Sequence, residues 1–141
     1  MIKFSQITQA VENILKQNTA GYNIQRNAER NHDPNVAAKG NGWINITKGT
    51  LDYEAFAIGS KPWQVTVEVK VEIQYAHNEG WKCEDGLEDA VNEITTLLNS
   101  HPTFEGFVSM TTGFRIEYEL NEGIKPYHQA AIITFRAEVR A

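Results

Sequence analysis

The stretch WQVTVEVKVEIQYAH, residues 63–77, alternates apolar and polar side chains almost without a break. A period of two is typical of a β-strand with one buried face. At about 3.3 Å per residue the stretch spans about 45 Å, against roughly 17–20 Å for an ordinary strand. Because a strand this long exceeds the core of a small domain, we expect part of it to serve a neighbouring subunit.

Six further segments have a recognisable period. Apolar residues at helical spacing predict amphipathic helices over 5–18, capped by Ser5, and over 85–99, capped by Asp85. Alternation predicts a hairpin of two short strands, 43–47 and 51–58, joined around Gly49. It also predicts strands over 107–120 and 129–139, joined by a Gly- and Pro-containing loop.

Residues 22–42 hold Asn, Asp, Gly and Pro with no clear period, which predicts a long loop. The 141 residues are enough for one domain with a hydrophobic core. We therefore predict a single α+β domain over 1–141. Its antiparallel-dominated sheet carries two helices packed on one face, as a two-layer sandwich.

The only cysteine, Cys83, and His77 lie six residues apart around the turn after the long strand. A catalytic thiol needs surroundings that stabilise the thiolate. The neighbouring carboxylates of Glu79, Glu84 and Asp85 raise the pKa of a thiol instead. The sequence thus predicts an unreactive cysteine.

No metal or cofactor site is predicted. The histidines lack the short spacing of a zinc site, and phosphate-loop and dinucleotide-binding patterns are absent. The histidines are His32, His77, His101 and His128.

Two pairs of acidic residues lie on predicted strands, at 68 and 72 and at 117 and 119. Because Lys70 and Arg115 alternate with them, surface ion pairs are favoured over the paired acids of a glycosidase. We predict no catalytic residue and no enzymatic activity.

The charge and hydropathy of the chain argue against two kinds of partner, nucleic acid and membranes. The net charge is −5 and Lys and Arg are scattered, with Arg26 and Arg30 the nearest to a pair. This argues against sequence-specific binding to nucleic acid, although a ring that encloses DNA needs no basic patch. No apolar run approaches the roughly 20 residues that span a bilayer, and no signal peptide is recognisable. We expect no membrane association and a cytosolic site of synthesis.

Three stretches, together with the opening helix, resemble a known family. They are WQVTVEVKVEIQYAH, CEDGLEDAVNEITTLLNSHPTFEGFV and the closing AAIITFRAEVRA. In their order and character they resemble the tail terminator proteins (tail completion or minor tail proteins) of long-tailed bacteriophages and related prophages. The likeness covers about two thirds of the chain.

The resemblance implies an α+β subunit that assembles into a hexameric ring. Such a ring caps the finished tail tube, stops its polymerisation and offers a docking surface to the head, with no catalysis and no cofactor. The implied partners are further copies of the chain, the tail tube protein and a head-completion protein, and DNA passes through the ring. The implied location is the virion tail, and the host cytoplasm during assembly.

The family has no short motif that assigns individual residues, so the candidate contacts come from the expected exposure of polar residues. A ring subunit makes heterologous contacts on two sides. The candidates are Arg26, Arg30 and Trp43 in or beside the loop, and Glu68, Lys70, Glu72, Arg115 and Glu117 on the polar strand faces.

Two other functions stay open at this point. One is a different phage component, such as a head–tail connector or a tail tube subunit. The other is a small-molecule-binding or enzymatic α+β domain that uses the open face of the sheet.

Overall fold

The computed structural model describes residues 4–27, 42–54, 64–77, 80–104, 106, 108, 110–121 and 127–140. Two helices and five strands follow one another along this part of the chain. They are α1 (Phe4–Asn18), β1 (Asn23–Arg26), β2 (Trp43–Glu54), β3 (Gln64–His77), α2 (Gly80–Ser100), β4 (Met110–Asn121) and β5 (Tyr127–Arg140). The predicted α+β class is confirmed.

The strands form one sheet in the order β1-β2-β3-β5-β4. β1 runs parallel to β2, and the other three neighbouring pairs are antiparallel. β3 is central: all 14 of its residues pair with β5, and β2 pairs along most of its other side. Between Gln64 and Gln74 the backbone of β3 is thus largely paired on both edges within the chain. The expectation that part of β3 serves a neighbouring subunit stays a prediction.

Both helices pack on one face of the sheet and against each other. α1 lies on β1 and β2, and α2 lies on β3 and β5. One continuous core joins these layers, and burying an aliphatic side chain of this kind stabilises a fold by roughly 1.5–3 kcal/mol. Its central members are Ile7, Val11, Ile14 and Leu15 from α1, Val67, Val69, Val71 and Ile73 from β3, and Leu87, Val91, Ile94 and Leu98 from α2.

The first predicted helix is confirmed, with a start one residue earlier. Since α1 begins at Phe4, Ser5 lies inside its first turn, where its carbonyl accepts a hydrogen bond from Thr8 Oγ1 at 3.1 Å.

The second predicted helix is confirmed from 85 to 99, but α2 begins at Gly80, so Asp85 is not its cap. The added first turn contains Cys83, whose Sγ contacts the Tyr75 carbonyl oxygen at 3.4 Å. Because tertiary packing overrides helix propensity, a turn beginning at a glycine was not predicted.

Two predictions near the start of the sheet are wrong. Residues 23–26 are not part of a loop but form β1, with Ile24 buried beside Ile44 of β2. The expected hairpin around Gly49 is one continuous strand, with a bulge between Lys48 and Leu51 where the pairing to β3 shifts. The end of the predicted second strand, 55–58, lies outside the described residues, as does most of the predicted loop at 28–41.

The last two strands form an antiparallel pair, as predicted from their alternation. β4 starts three residues later than expected and ends at Asn121, and β5 extends from Tyr127 to Arg140. β4 is an edge of the sheet as described, with β5 as its hydrogen-bonded neighbour. A bulge interrupts this pairing between Thr112 and Arg115.

Candidate assembly surface

Cys83, in the first turn of α2, is buried, with an exposed fraction of 0%. Burial raises the pKa of its thiol, while hydrogen bonds with the backbone of His77 and Gln129 act in the opposite direction. The predicted direction of the pKa is confirmed, but burial is the main cause, and the neighbouring carboxylates are not. A buried thiol with a raised pKa is a poor nucleophile.

The described residues were searched for the two arrangements that bind small ligands, a metal site and a cleft. Among the residues described, no group of three His, Cys, Asp or Glu side chains is placed to hold a metal ion. An open cleft of about 220 Å³ lies between α2 and β4, lined by Glu84, Leu87, Glu88, Tyr118 and Gln129. A second cleft, of about 400 Å³, is lined by the end of α1 and by α2, at Asn18, Asn92 and Ser100 among others, and is more open to solvent. Ligand pockets usually enclose about 300–1,000 Å³ and bury most of the ligand, so the first cleft is small for a substrate site and the second is too open.

The sheet face opposite the helices carries three of the predicted contact residues on β3. Lys70 is exposed, while Glu68 and Glu72 are half-buried. Glu72 accepts a hydrogen bond from Gln74 Nε2 at 2.9 Å. The carboxylate of Glu68 lies over the β2 bulge, where a Cβ added at Gly49 would come within 2.5 Å of Oε1. Both acids are thus partly covered by their own subunit, and Lys70 is exposed to solvent.

One end of this opposite face is buried, which sequence alternation did not predict. Trp43 is 3% exposed and lies opposite Gln74 of β3, which in turn lies opposite Ala130 of β5. Asn45, Gln74 and Ala130 are buried as well. Trp43 is therefore a packed residue of the subunit and presents almost no side chain to a neighbour.

The two arginines predicted as contact residues in the loop have different outcomes. Arg26 lies on β1 and reaches α1, where Nη1 donates a hydrogen bond to the Ser5 carbonyl at 3.2 Å and Nε lies 3.4 Å from a Glu12 carboxylate oxygen. This arginine ties the first strand to the first helix. Arg30 lies outside the described residues.

The remaining candidates lie on β4. Arg115 and Glu117 point to the same face, with side chains 76% and 55% exposed, and an ion pair of 2.9 Å joins them. Every residue from 115 to 119 is exposed. Of all the predicted contact residues, these two are the most accessible.

β4 also exposes large apolar side chains, which the sequence pattern did not predict. Ile116 is 37% exposed and Tyr118 is 49% exposed. Both alternate with Arg115 and Glu117 and so belong to the helix side of the sheet, but α2 packs on β3 and β5 and leaves them partly exposed. Partial burial and the nearby carboxylate of Glu88 raise the pKa of Tyr118. Apolar exposure on an edge strand marks a site where another chain can pair.

The fold and its surface define a two-layer α+β protein with helices on one face, a partly charged opposite face and an accessible edge strand. No helix in the described residues is long and apolar enough to cross a membrane. Comparison of the chain with protein-family models and with curated proteins finds no match.

Proposed function

We propose that this chain is a structural protein of long-tailed phages or prophages that assembles as a ring at the end of the tail tube. As a tail terminator, the ring stops tube polymerisation and offers the surface to which the head docks. The partners in this proposal are further copies of the chain, the tail tube protein and a head-completion protein. It has no catalytic step and no cofactor.

The observation that supports this proposal most directly is the accessibility of β4. An edge strand with five consecutive exposed residues and two exposed large apolar side chains is suited to contact with protein, because exposed strand edges readily pair with other chains. The sequence resemblance adds the particular role, a ring at the tail end.

Charge supports the same role. The chain carries a net charge of −5, and an acidic ring around a DNA passage repels phosphates instead of holding them. DNA then moves through the ring without being bound. Lys70, exposed on β3, and the Arg115–Glu117 pair on β4 are the surface charges we assign to subunit contacts.

Light scattering of the purified chain over a wide range of concentrations tests whether it is an assembly protein. We expect a mass above that of one chain, rising with concentration. Arg115→Glu should lower that mass, while Lys16→Glu, a charge reversal at an exposed position of α1, should not. A strict monomer at high concentration that binds a metal ion or a metabolite contradicts the proposal and supports a small-molecule site.

A further inference from the structure

The exposed charges on one face of β4 are of both signs, with Arg115 followed by Glu117 and Glu119. Natural edges are often guarded by charges, lysine above all. Here Arg115 and Glu117 are of opposite sign on one face, and Ile116 between them lies on the other face. A strand with this pattern attracts a strand of complementary pattern.

The pattern of β4 is complementary to itself. When two copies of a strand pair antiparallel about a two-fold axis perpendicular to the sheet, residues on the same face lie opposite one another. Centring the pair on Ile116 places Arg115 of each copy opposite Glu117 of the other, and the two Ile116 side chains opposite each other. Both charge pairs are then attractive, and the exposed apolar side chains meet on the helix side.

The neighbouring registers are less favourable. Centring the pair on Glu117 places Arg115 of each copy opposite Glu119 of the other, but it also places the two Glu117 carboxylates opposite each other. Centring it on Tyr118 places Glu117 of each copy opposite Glu119 of the other. Like charges directly opposite on neighbouring strands are destabilising, so charge selects the register centred on Ile116.

We propose that β4 binds the β4 strand of a second copy of this chain, as a two-fold antiparallel pair centred on Ile116. The bulge between Thr112 and Arg115 limits regular pairing to a short segment, which makes the dimer reversible. A two-fold contact closes with two copies, so this dimer differs from the ring. It describes the free protein and does not depend on a role in tails.

Charge reversal with full-length chains tests the pairing by sedimentation equilibrium. Arg115→Glu places two acidic residues on the edge, and Glu117→Arg places two basic ones. Each variant alone should dimerise at least about tenfold more weakly than the wild type, because every substitution occurs twice in the contact. The double variant R115E/E117R should return to within about threefold of the wild-type Kd.

An equimolar mixture of the two single variants separates pairing between chains from the ion pair within one chain. Each variant has lost its internal Arg115–Glu117 pair, but in a mixed dimer each acidic residue lies opposite a basic one. We expect the mixture to form heterodimers about as tight as the wild-type dimer. Lys16→Glu makes the same change of charge as Arg115→Glu at an exposed position of α1. Because α1 packs on β1 and β2, at the other end of the sheet from β4, this variant should leave the Kd unchanged.

Cysteine cross-linking tests the register of the proposed strand pair. In the proposed pair the two Ile116 Cα atoms lie about 4.5–5.5 Å apart, which suits a disulfide, so Ile116→Cys should cross-link on oxidation. The two Tyr118 positions lie roughly 13 Å apart, so Tyr118→Cys should not. Because Cys83 is buried, we expect little cross-linking of the wild-type chain.

Circular dichroism melts of each variant ensure that an unfolded chain is not read as a monomer. The inference is overturned if the two-variant mixture dimerises no better than either variant alone, or if Tyr118→Cys cross-links and Ile116→Cys does not. A wild-type dimer whose Kd is unchanged by Arg115→Glu and by Glu117→Arg overturns the inference as well, while the proposed function is tested separately, by the length of tails made without the chain.

Discussion

At the scale of single residues, two side chains that the sequence assigns to subunit contacts, Arg26 and Trp43, instead make contacts within their own subunit. Arg26 joins β1 to α1 through Ser5 and Glu12, and Trp43 is buried on β2. Alternation shows which residues share a face, but it does not show whether that face is covered. Arg115 and Glu117 are exposed as predicted, because they lie on an edge strand.

A second link of this kind joins the segment after α1 to α2. The Tyr22 hydroxyl donates a hydrogen bond to a carboxylate oxygen of Glu93 at 2.7 Å. Burial, together with the hydrogen bond and charge of Glu93, raises the pKa of Tyr22 well above its ordinary value.

The raised pKa predicts a loss of stability at alkaline pH. An unfolded tyrosine titrates near 10, so the contribution of Tyr22 is fully present below about pH 10 and falls as the pH rises towards the folded-state pKa. We expect Tyr22→Phe to lower the free energy of unfolding by about 1–2 kcal/mol at pH 7, and the difference from the wild type to shrink above pH 10.

Urea denaturation at pH 7, 10 and 11 measures this difference. Tyr118→Phe, at a position 49% exposed, serves as the control and should change stability by no more than about 0.5 kcal/mol at pH 7. A constant difference between Tyr22→Phe and the wild type across this pH range contradicts the assigned cause.

At the scale of secondary structure elements, the sequence predicts long periodic segments well and short or interrupted ones poorly. The central strand and both helices follow directly from their periods. β1 was missed because four residues with one large apolar side chain carry no period, and its partner β2 is distant in sequence. Gly49 suggested a turn but lies in a bulge beneath Glu68.

The position of each strand in the sheet also lies beyond what periodicity predicts. β4 and β5 have similar alternation, yet the β5 apolar face is buried while Ile116 and Tyr118 of β4 are exposed. The difference arises from sheet order, which depends on pairings distant in sequence. For this reason the accessible edge, the main feature of the candidate site, could not be predicted from the sequence.

Packing of α2 on β3 requires a glycine in the helix. A Cβ added at Gly86 would overlap the Tyr75 ring and lie 2.8 Å from its hydroxyl oxygen. In an exposed helix, alanine stabilises by up to about 1 kcal/mol relative to glycine. We expect Gly86→Ala to destabilise the protein by about 1–2 kcal/mol instead, because overpacking outweighs that gain.

Thermal and urea unfolding of Gly86→Ala measure this cost. Asn92→Ala, at an exposed position of the same helix, is the control and should lie within about 0.5 kcal/mol of the wild type. In a Tyr75→Ala background Gly86→Ala should become neutral or stabilising, since the ring that it overlaps is gone. An equal cost in both backgrounds contradicts the proposed contact.

At the scale of the whole molecule, the described residues form a well-packed two-layer domain. Its candidate contact surface is the exposed edge strand β4. The thiol is buried, the cleft between α2 and β4 is small, and the exposed charges of β4 lie beside exposed apolar side chains. Such a surface suits a protein that acts by contacting other proteins. The role in tail assembly rests on the sequence resemblance together with this surface.

The proposal that the chain terminates phage tails is tested by the length of the tails made without it. The gene is deleted from the phage or prophage that carries it, and tails are measured by electron microscopy, with the wild-type gene supplied from a plasmid as the control. We expect overlong tails without heads in the deletion strain, restored to normal length by the plasmid. Tails of normal length joined to filled heads in the deletion strain would contradict it.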